Sequence, residues 1–295
     1  MSSSLNPRAG FSAALFAFFA WGLLPVYWKS LQTVPPLEIL CHRVVWSLLF
    51  VAVILTWQRR WAETRSTLGS PATMGMLLLS SCLIAANWFA YIWAVNNGHV
   101  LETSLGYYIN PLVNVLLGRL FFGDRLRPVQ AVAIGLACFG VGYMIFDYGH
   151  VPWVALCLAF SFGFYGLCRK VVRVAPLPGL FWETALLTLP AAAYLFLHGT
   201  MAAFTFSTSL LLVGAGVVTS LPLWAFAFAA RNLSLITVGL LQYIGPSCAF
   251  LLGVFVYGEH FTSAHLVTFS CIWGALALYS GEGLVRLRRR GEVAA

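Results

Sequence analysis

The sequence is short of charge. Only 9% of its 295 residues are Asp, Glu, Lys or Arg, where a soluble domain carries roughly a quarter. A chain this poor in charge cannot clothe itself in a hydrated surface, which excludes an ordinary soluble domain. The signatures of chemistry are missing as well. There is no HExxH and no GxSxG, and Asp124 and Asp147 both sit at the ends of apolar stretches instead of pairing inside one. An intramembrane enzyme needs a nucleophile with its base, paired carboxylates, or ligands at workable spacing. No enzyme, metal or cofactor is therefore expected. The seven cysteines, at 41, 82, 138, 157, 168, 248 and 271, form no CxxC or Cys/His spacing, so they read as small packing residues. No repeated filter loop or ring of charges marks a channel. The opening "MSSSLNPRAG" lacks the ordered regions of a cleavable signal, so the first apolar stretch is expected to stay as an anchor.

What the chain has in excess is apolar length: 60% of it is hydrophobic, in blocks of about 20 residues, the length that crosses a bilayer core of about 30 Å. Ten spans are expected: 9–28, 37–58, 72–96, 101–122, 128–147, 151–171, 177–198, 207–230, 234–257 and 261–284. The interruptions are short and carry turn residues, such as Asn96-Asn97-Gly98, Gly123-Asp124 and Gly258-Glu259. The runs are too long and too continuously apolar for barrel strands, so the fold class is an all-α integral membrane protein.

Cations set the orientation. Arg8, Arg59, Arg60, Arg65, Arg119, Arg125, Arg127, Arg169, Lys170, Arg173, Arg231, Arg286, Arg288, Arg289 and Arg290 fall at alternate ends of the spans, whereas the opposite ends keep only Lys29. The positive-inside rule then places both termini in the cytoplasm. The net charge of +8 reports topology; its clusters are too short and scattered for a nucleic-acid groove.

An internal repeat is visible. Sliding by 135 residues lays "YYINPLVNVLLGRLFFGD" (107–124) over "QYIGPSCAFLLGVFVYGE" (242–259), matching Pro111 with Pro246 and Gly118 with Gly253. A shift of 141 lays "AWGLLPVYWK" (20–29) over "SFGFYGLCRK" (161–170), matching Gly22 with Gly163. Two five-span halves follow, 1–147 and 148–295. Five is odd, so the second half is inverted. Residue 111 then lies about 15 Å into its span at 1.5 Å per residue, near the midplane, and residue 246 lies at a similar depth. Pro25, Pro111, Gly245 and Pro246 are read as helix breaks, in the manner of carriers whose weakened helices line a cavity.

The segments "WGLLPVYWK" (21–29), "LEILCHRVVWSLL" (37–49), "NWFAYIWAVNNGHVLETSLGYYINPLVNVLLG" (87–118) and "LLQYIGPSCAFLLGVFVYGE" (240–259) resemble the RarD subgroup of the EamA transporters, in the drug/metabolite transporter superfamily. The resemblance implies a ten-helix carrier of two inverted five-helix repeats in a bacterial inner (plasma) membrane, moving small metabolites or drug-like molecules. A non-transporting scaffold or receptor, or a facilitator without ion coupling, is the alternative. The expected partners are a small-molecule substrate and the lipid bilayer, with no nucleic acid, as a monomer or homodimer.

Polar residues at membrane depth are functional candidates by default. Glu38 and His42 share a helix face, and Arg43 needs an anionic or carbonyl partner, for which Glu183 is the first candidate. The alternative for that pair is a fixed tie between two helices. Under the 141 shift His42 falls on Glu183, and either could couple protons to transport. The substrate site is expected among Arg43, His42, Trp88, Tyr91, Tyr107, Tyr108, Asn110, Asn114, Glu183, Gln242 and Tyr243, flat apolar walls with a few fixed polar groups. Trp21, Trp93, Trp224 and Asn87 lie near them. Small residues four apart, Ala131 and Gly135, Gly216 and Ser220, Ser270 and Gly274, suit close helix crossings.

Overall fold

Prolines and small polar residues decide where this chain turns into helix. In the computed structural model, which describes residues 6–96, 100–149, 151–199, 205–256 and 262–294, five helices begin on proline: α1 (Pro7–Lys29), α2 (Pro36–Trp57), α4 (Pro71–Asn96), α6 (Pro128–Tyr148) and α8 (Pro176–His198). Proline suits a first turn, where its missing N–H is not needed and its fixed φ is already helical. Side-chain caps open others. Thr205 accepts from the Thr208 N–H at the start of α9 (Phe206–Asn232), and Ser234 accepts from Thr237 at the start of α10 (Leu235–Gln242). The remaining helices are the short α3 (Trp61–Ser66), α5 (Val100–Phe122), α7 (Trp153–Val171), α11 (Ile244–Phe255) and α12 (Ser263–Ala294), with a 3₁₀ turn at Thr67–Gly69. Gly123, at φ +61°, closes α5, and the Asp124 N–H reaches back to the Gly118 carbonyl at 3.2 Å.

Among the described residues nine segments are long and apolar enough to cross a membrane: α1, α2, α4, α6, α7, α8, α9, the α10–α11 pair and α12. Helix α5 matches the expected span at 101–122 in length, but Asn110, Asn114 and Arg119 keep its composition from marking it as one. The expected turns at Asn97-Gly98 and Gly258-Glu259 lie outside the described residues. No strand occurs among the described residues. Unforeseen was α3, fixed on both faces: Trp61 donates to Thr56 Oγ1 at 2.9 Å, and Trp182 donates to the Thr64 carbonyl at 2.9 Å.

The expected breaks are only partly present. Helix α1 runs through Pro25 and α5 runs through Pro111 without interruption. A single proline removes one N–H and crowds the carbonyl four residues back, and neighbours hold α5 together across that gap. Gly106 abuts Ala155 and Leu158 of α7, while Gly239 of α10 lies so close to the Pro111 carbonyl that a Cβ there would approach it to 2.6 Å. The second proline does divide its span. The carbonyl that Pro246 crowds belongs to Gln242, which is where α10 ends; Tyr243 makes the turn and α11 carries Gly245 and Pro246 onward.

Helix α6 packs on α12, α5 on α7 and α10, α1 on α9 and α11, α2 on α8 and α9, and α4 on α7 and α8. Lipid removes the hydrophobic drive for helix association, so close approach at small residues carries much of the attraction. A Cβ at Gly22 would meet Cys248 Cβ at 2.5 Å, one at Gly163 would meet Val113 Cγ1 at 2.6 Å, and one at Gly216 would meet the Trp46 backbone at 2.4 Å. The α6–α12 crossing centres on Gly140, whose carbonyl accepts from Thr268 Oγ1 at 2.8 Å. Gly135, expected at a crossing, faces open space.

Candidate functional site

A cavity of about 470 Å³ lies between α1, α2, α4, α5, α7, α9 and the α10–α11 turn, a size usual for small-molecule sites. It extends from the 31–36 connection, where Leu31, Gln32, Val34 and Pro36 line it, inward to Asn110 and Gln242. Of the expected site residues, Arg43, Trp88, Tyr91, Tyr107, Asn110 and Gln242 line it, together with Pro25, Gly245 and Pro246.

Arg43 is the only charged residue among the described lining residues. Its Nε donates to Thr219 Oγ1 at 3.0 Å, and its guanidinium carbon sits 4.6 Å from the Trp28 ring centre and 4.9 Å from that of Trp88. Two indole faces around one guanidinium offset part of the cost of holding a cation at membrane depth. Tyr91 and Tyr107 stand beside each other, ring centres 6.3 Å apart.

Deeper in, three amides are bonded into one group. Asn114 donates to Gln242 Oε1 at 2.6 Å and to Asn110 Oδ1 at 3.3 Å, Gln242 donates to Asn110 Oδ1, and Asn110 donates to the Ala159 carbonyl at 2.8 Å. This network ties α5, α7 and α10 together at the level of the two prolines. Asn114 lies behind the cavity wall. Below it an aromatic floor closes the space: Trp21 and Phe162 meet edge to face at 5.6 Å, and Phe162 packs on Phe226 at 5.2 Å.

Four expected site residues lie elsewhere. Tyr108 is buried against Phe269, ring centres 5.4 Å apart, and Tyr243 is buried in the same cluster. His42 faces away from the cavity and accepts from Trp46 Nε1 at 3.3 Å, with its Nε2 buried and unpartnered among the described residues. Glu183 does not pair with Arg43. It sits 3.4 Å from Arg169, a residue expected at the cytoplasmic surface but fully buried, and it accepts from Ser80 Oγ at 2.5 Å. Gly179 makes this possible, since a Cβ there would lie 2.2 Å from Arg169 Nη1. Arg169 stands in the last turn of α7 but turns onto α8, to Glu183 and the Pro176 carbonyl, which charge counting by position could not reveal.

At the end opposite the 31–36 connection, basic side chains bridge the ends of neighbouring helices. Lys170 donates to the carbonyls of Ala230, at 3.1 Å, and Leu233, and Arg231 donates to the Val174 carbonyl at 2.7 Å. Sequence reasoning missed Trp28, Thr219, Phe18 and Phe162 as lining residues. Thr219, a hydroxyl in an apolar span, was the one legible signal. Among the described residues no cluster of three or more His, Cys, Asp or Glu could hold a metal.

The EamA-like transporter family matches residues 8–146. A transporter of Vibrio cholerae described as uncharacterized is 49% identical over 95% of this chain and 94% of its own length. Protein RarD of Escherichia coli K12 is 45% identical over 97% of this chain and 98% of its own. A crystal structure 17% identical superposes with a TM-score of 0.71 over 92% of this chain and 97% of that one, which speaks to fold alone. Near-full-length identity at this level, on a helical bundle that holds an aromatic-lined cavity, makes the chain a multi-pass membrane protein that belongs to the EamA-like transporter family, in its RarD branch.

Proposed function

We propose that the protein is a secondary transporter of ten spans, two inverted five-helix halves (1–147 and 148–295), which exports a small metabolite or drug-like molecule by alternating access through the central cavity. One observation carries this reading. Residues that the repeat places in register converge on the same space: Tyr107 with Gln242, Asn110 with Gly245, and Trp21 with Phe162 all line the cavity. The packing agrees. Exchanging α1, α2, α4, α5 and α6 for α7, α8, α9, α10–α11 and α12 turns each main contact that these helices make between the halves into another that is present or into itself; the short α3, which also touches α8, has no counterpart. The contact of Gly22 with Cys248 becomes that of Gly163 with Val113, at nearly the same separation.

With both termini cytoplasmic, the 31–36 connection faces outside, so this state is open outward and sealed inward by Lys170, Arg231 and the Arg169–Glu183 pair. The inverted repeat supplies the opposite state, since each half can adopt the other's conformation. His42 and Glu183 remain the candidates for proton coupling. Neither touches the cavity, so coupling acts through movement of α2 and α8. Saturable counterflow of small metabolites in proteoliposomes tests the carrier reading; absence of exchange across a broad panel points to a receptor or scaffold.

A further inference from the structure

We infer that the cavity binds a flat, apolar monoanion through its carboxylate, with Arg43 as the carboxylate clamp. The inference rests on the cavity being the transport site and names what it takes. An arginine offers five N–H donors in a rigid plane. Here the Nε–H is spent on Thr219, and the rings of Trp28 and Trp88 lie over the guanidinium. The edge formed by Nη1 and Nη2 is left, and among the described residues it has no hydrogen-bond partner. Held by its faces and one nitrogen, that edge is a preformed fork for two parallel bonds to a carboxylate. The amides deeper in are engaged: the Asn87 amide donates to the Leu158 carbonyl and Ser161 Oγ, both at 2.9 Å, and Asn110 and Gln242 are tied to each other.

Charge balance narrows the class. One cation and no acidic side chain among the described lining residues neutralise one negative charge. A dianion would keep an uncompensated charge in an apolar cavity, and the ammonium of an amine or an amino acid would find no counter-ion. The walls add the body. Indole and phenol rings beside the fork offer flat apolar surface to an aryl or similarly planar group.

The test compares ligands of matched body and different head group. Thermal-shift titration of the detergent-purified full chain would use 3-phenylpropionate, 3-phenylpropanol, 2-phenylethylamine and L-phenylalanine, with a parallel indole set led by indole-3-acetate. In at least one set the carboxylate is expected to bind about tenfold or more tighter than its alcohol, amine and amino-acid counterparts, the size of a charge-assisted pair. Arg43→Gln should erase that preference, and Arg43→Lys, which keeps the charge without the fork, should restore only part of it. Equal or tighter binding of the alcohol, amine or amino acid in both sets overturns the inference, as does a carboxylate preference that survives Arg43→Gln. If Arg43→Gln does not fold, the head-group ranking of the unaltered protein decides alone. Counterflow of the same compounds separates the two claims. Carboxylate-selective binding without exchange sinks the carrier reading and leaves the clamp, whereas exchange of neutral or cationic members that Arg43→Gln leaves unchanged sinks the clamp and leaves the carrier.

Discussion

Replacing Glu183 with Gln is expected to destabilise the sealed end of the bundle while leaving the cavity intact. Arg169 is 0% exposed and Glu183 2%, and the carboxylate 3.4 Å away is the anionic partner the guanidinium has there. Its other bond is to the Pro176 carbonyl at 2.9 Å, and its Nε is unpartnered among the described residues. Gln preserves the shape and the bond from Ser80 but strands the cation. Removing one member of a buried ion pair costs about 3–5 kcal/mol, well above the loss of about 1 kcal/mol for a neutral hydrogen bond. Removing both charges, as Arg169→Met with Glu183→Leu, is expected to recover most of the loss. The assay is a double-mutant cycle of Arg169→Met, Glu183→Leu and the two together, with Glu183→Gln beside it, on the heat stability of detergent-purified protein, read as the folded fraction after size exclusion. The reasoning fails if Glu183→Gln stays within about 0.5 kcal/mol of the parent, the usual range of a surface change, or if the double variant is as unstable as the two singles summed.

Further substitutions probe the packing. Gly22→Val and Gly163→Val should each cost folded yield to a similar degree, because their first added carbon would stand 2.5 and 2.6 Å from Cys248 and Val113, while Gly135→Ala, in open space, should be neutral or slightly stabilising by about 0.5–1 kcal/mol; unequal effects at the two matched glycines count against the repeat. Gln242→Leu takes one hydrogen bond from each of Asn110 and Asn114 in a buried network and should lower stability by about 1–3 kcal/mol, seen as earlier melting, with Asn114→Leu added in the same chain partly relieving it.

The bundle was legible because lipid imposes a simple grammar. The expected spans match the helices closely, and prolines at 7, 36, 71, 128 and 176 sit at helix starts where their backbone limits put them. The cavity was legible in outline, since Arg43, Trp88, Tyr91, Tyr107, Asn110 and Gln242 all reach it. Partner choice was not. Arg43 and Glu183 looked complementary as charges, but whether two side chains meet depends on helix rotation and on a neighbour such as Gly179, which makes room for Arg169. The breaks expected at Pro25 and Pro111 are absent for a related reason. A proline's cost is local, and whether the helix parts is settled by what packs across the gap: Gly239 backs Pro111, while Tyr243 turns ahead of Pro246.

Alternating access between matched halves is tested most directly by sided labelling at the cavity. Tyr107, 51% exposed and lining the cavity, would be changed to Cys in a chain whose seven native cysteines are replaced, and probed with a membrane-impermeant thiol reagent in right-side-out and inside-out vesicles. The account predicts labelling from outside at rest and from both sides once a transported solute is cycling. Labelling from one side alone, whatever solute is supplied, contradicts it.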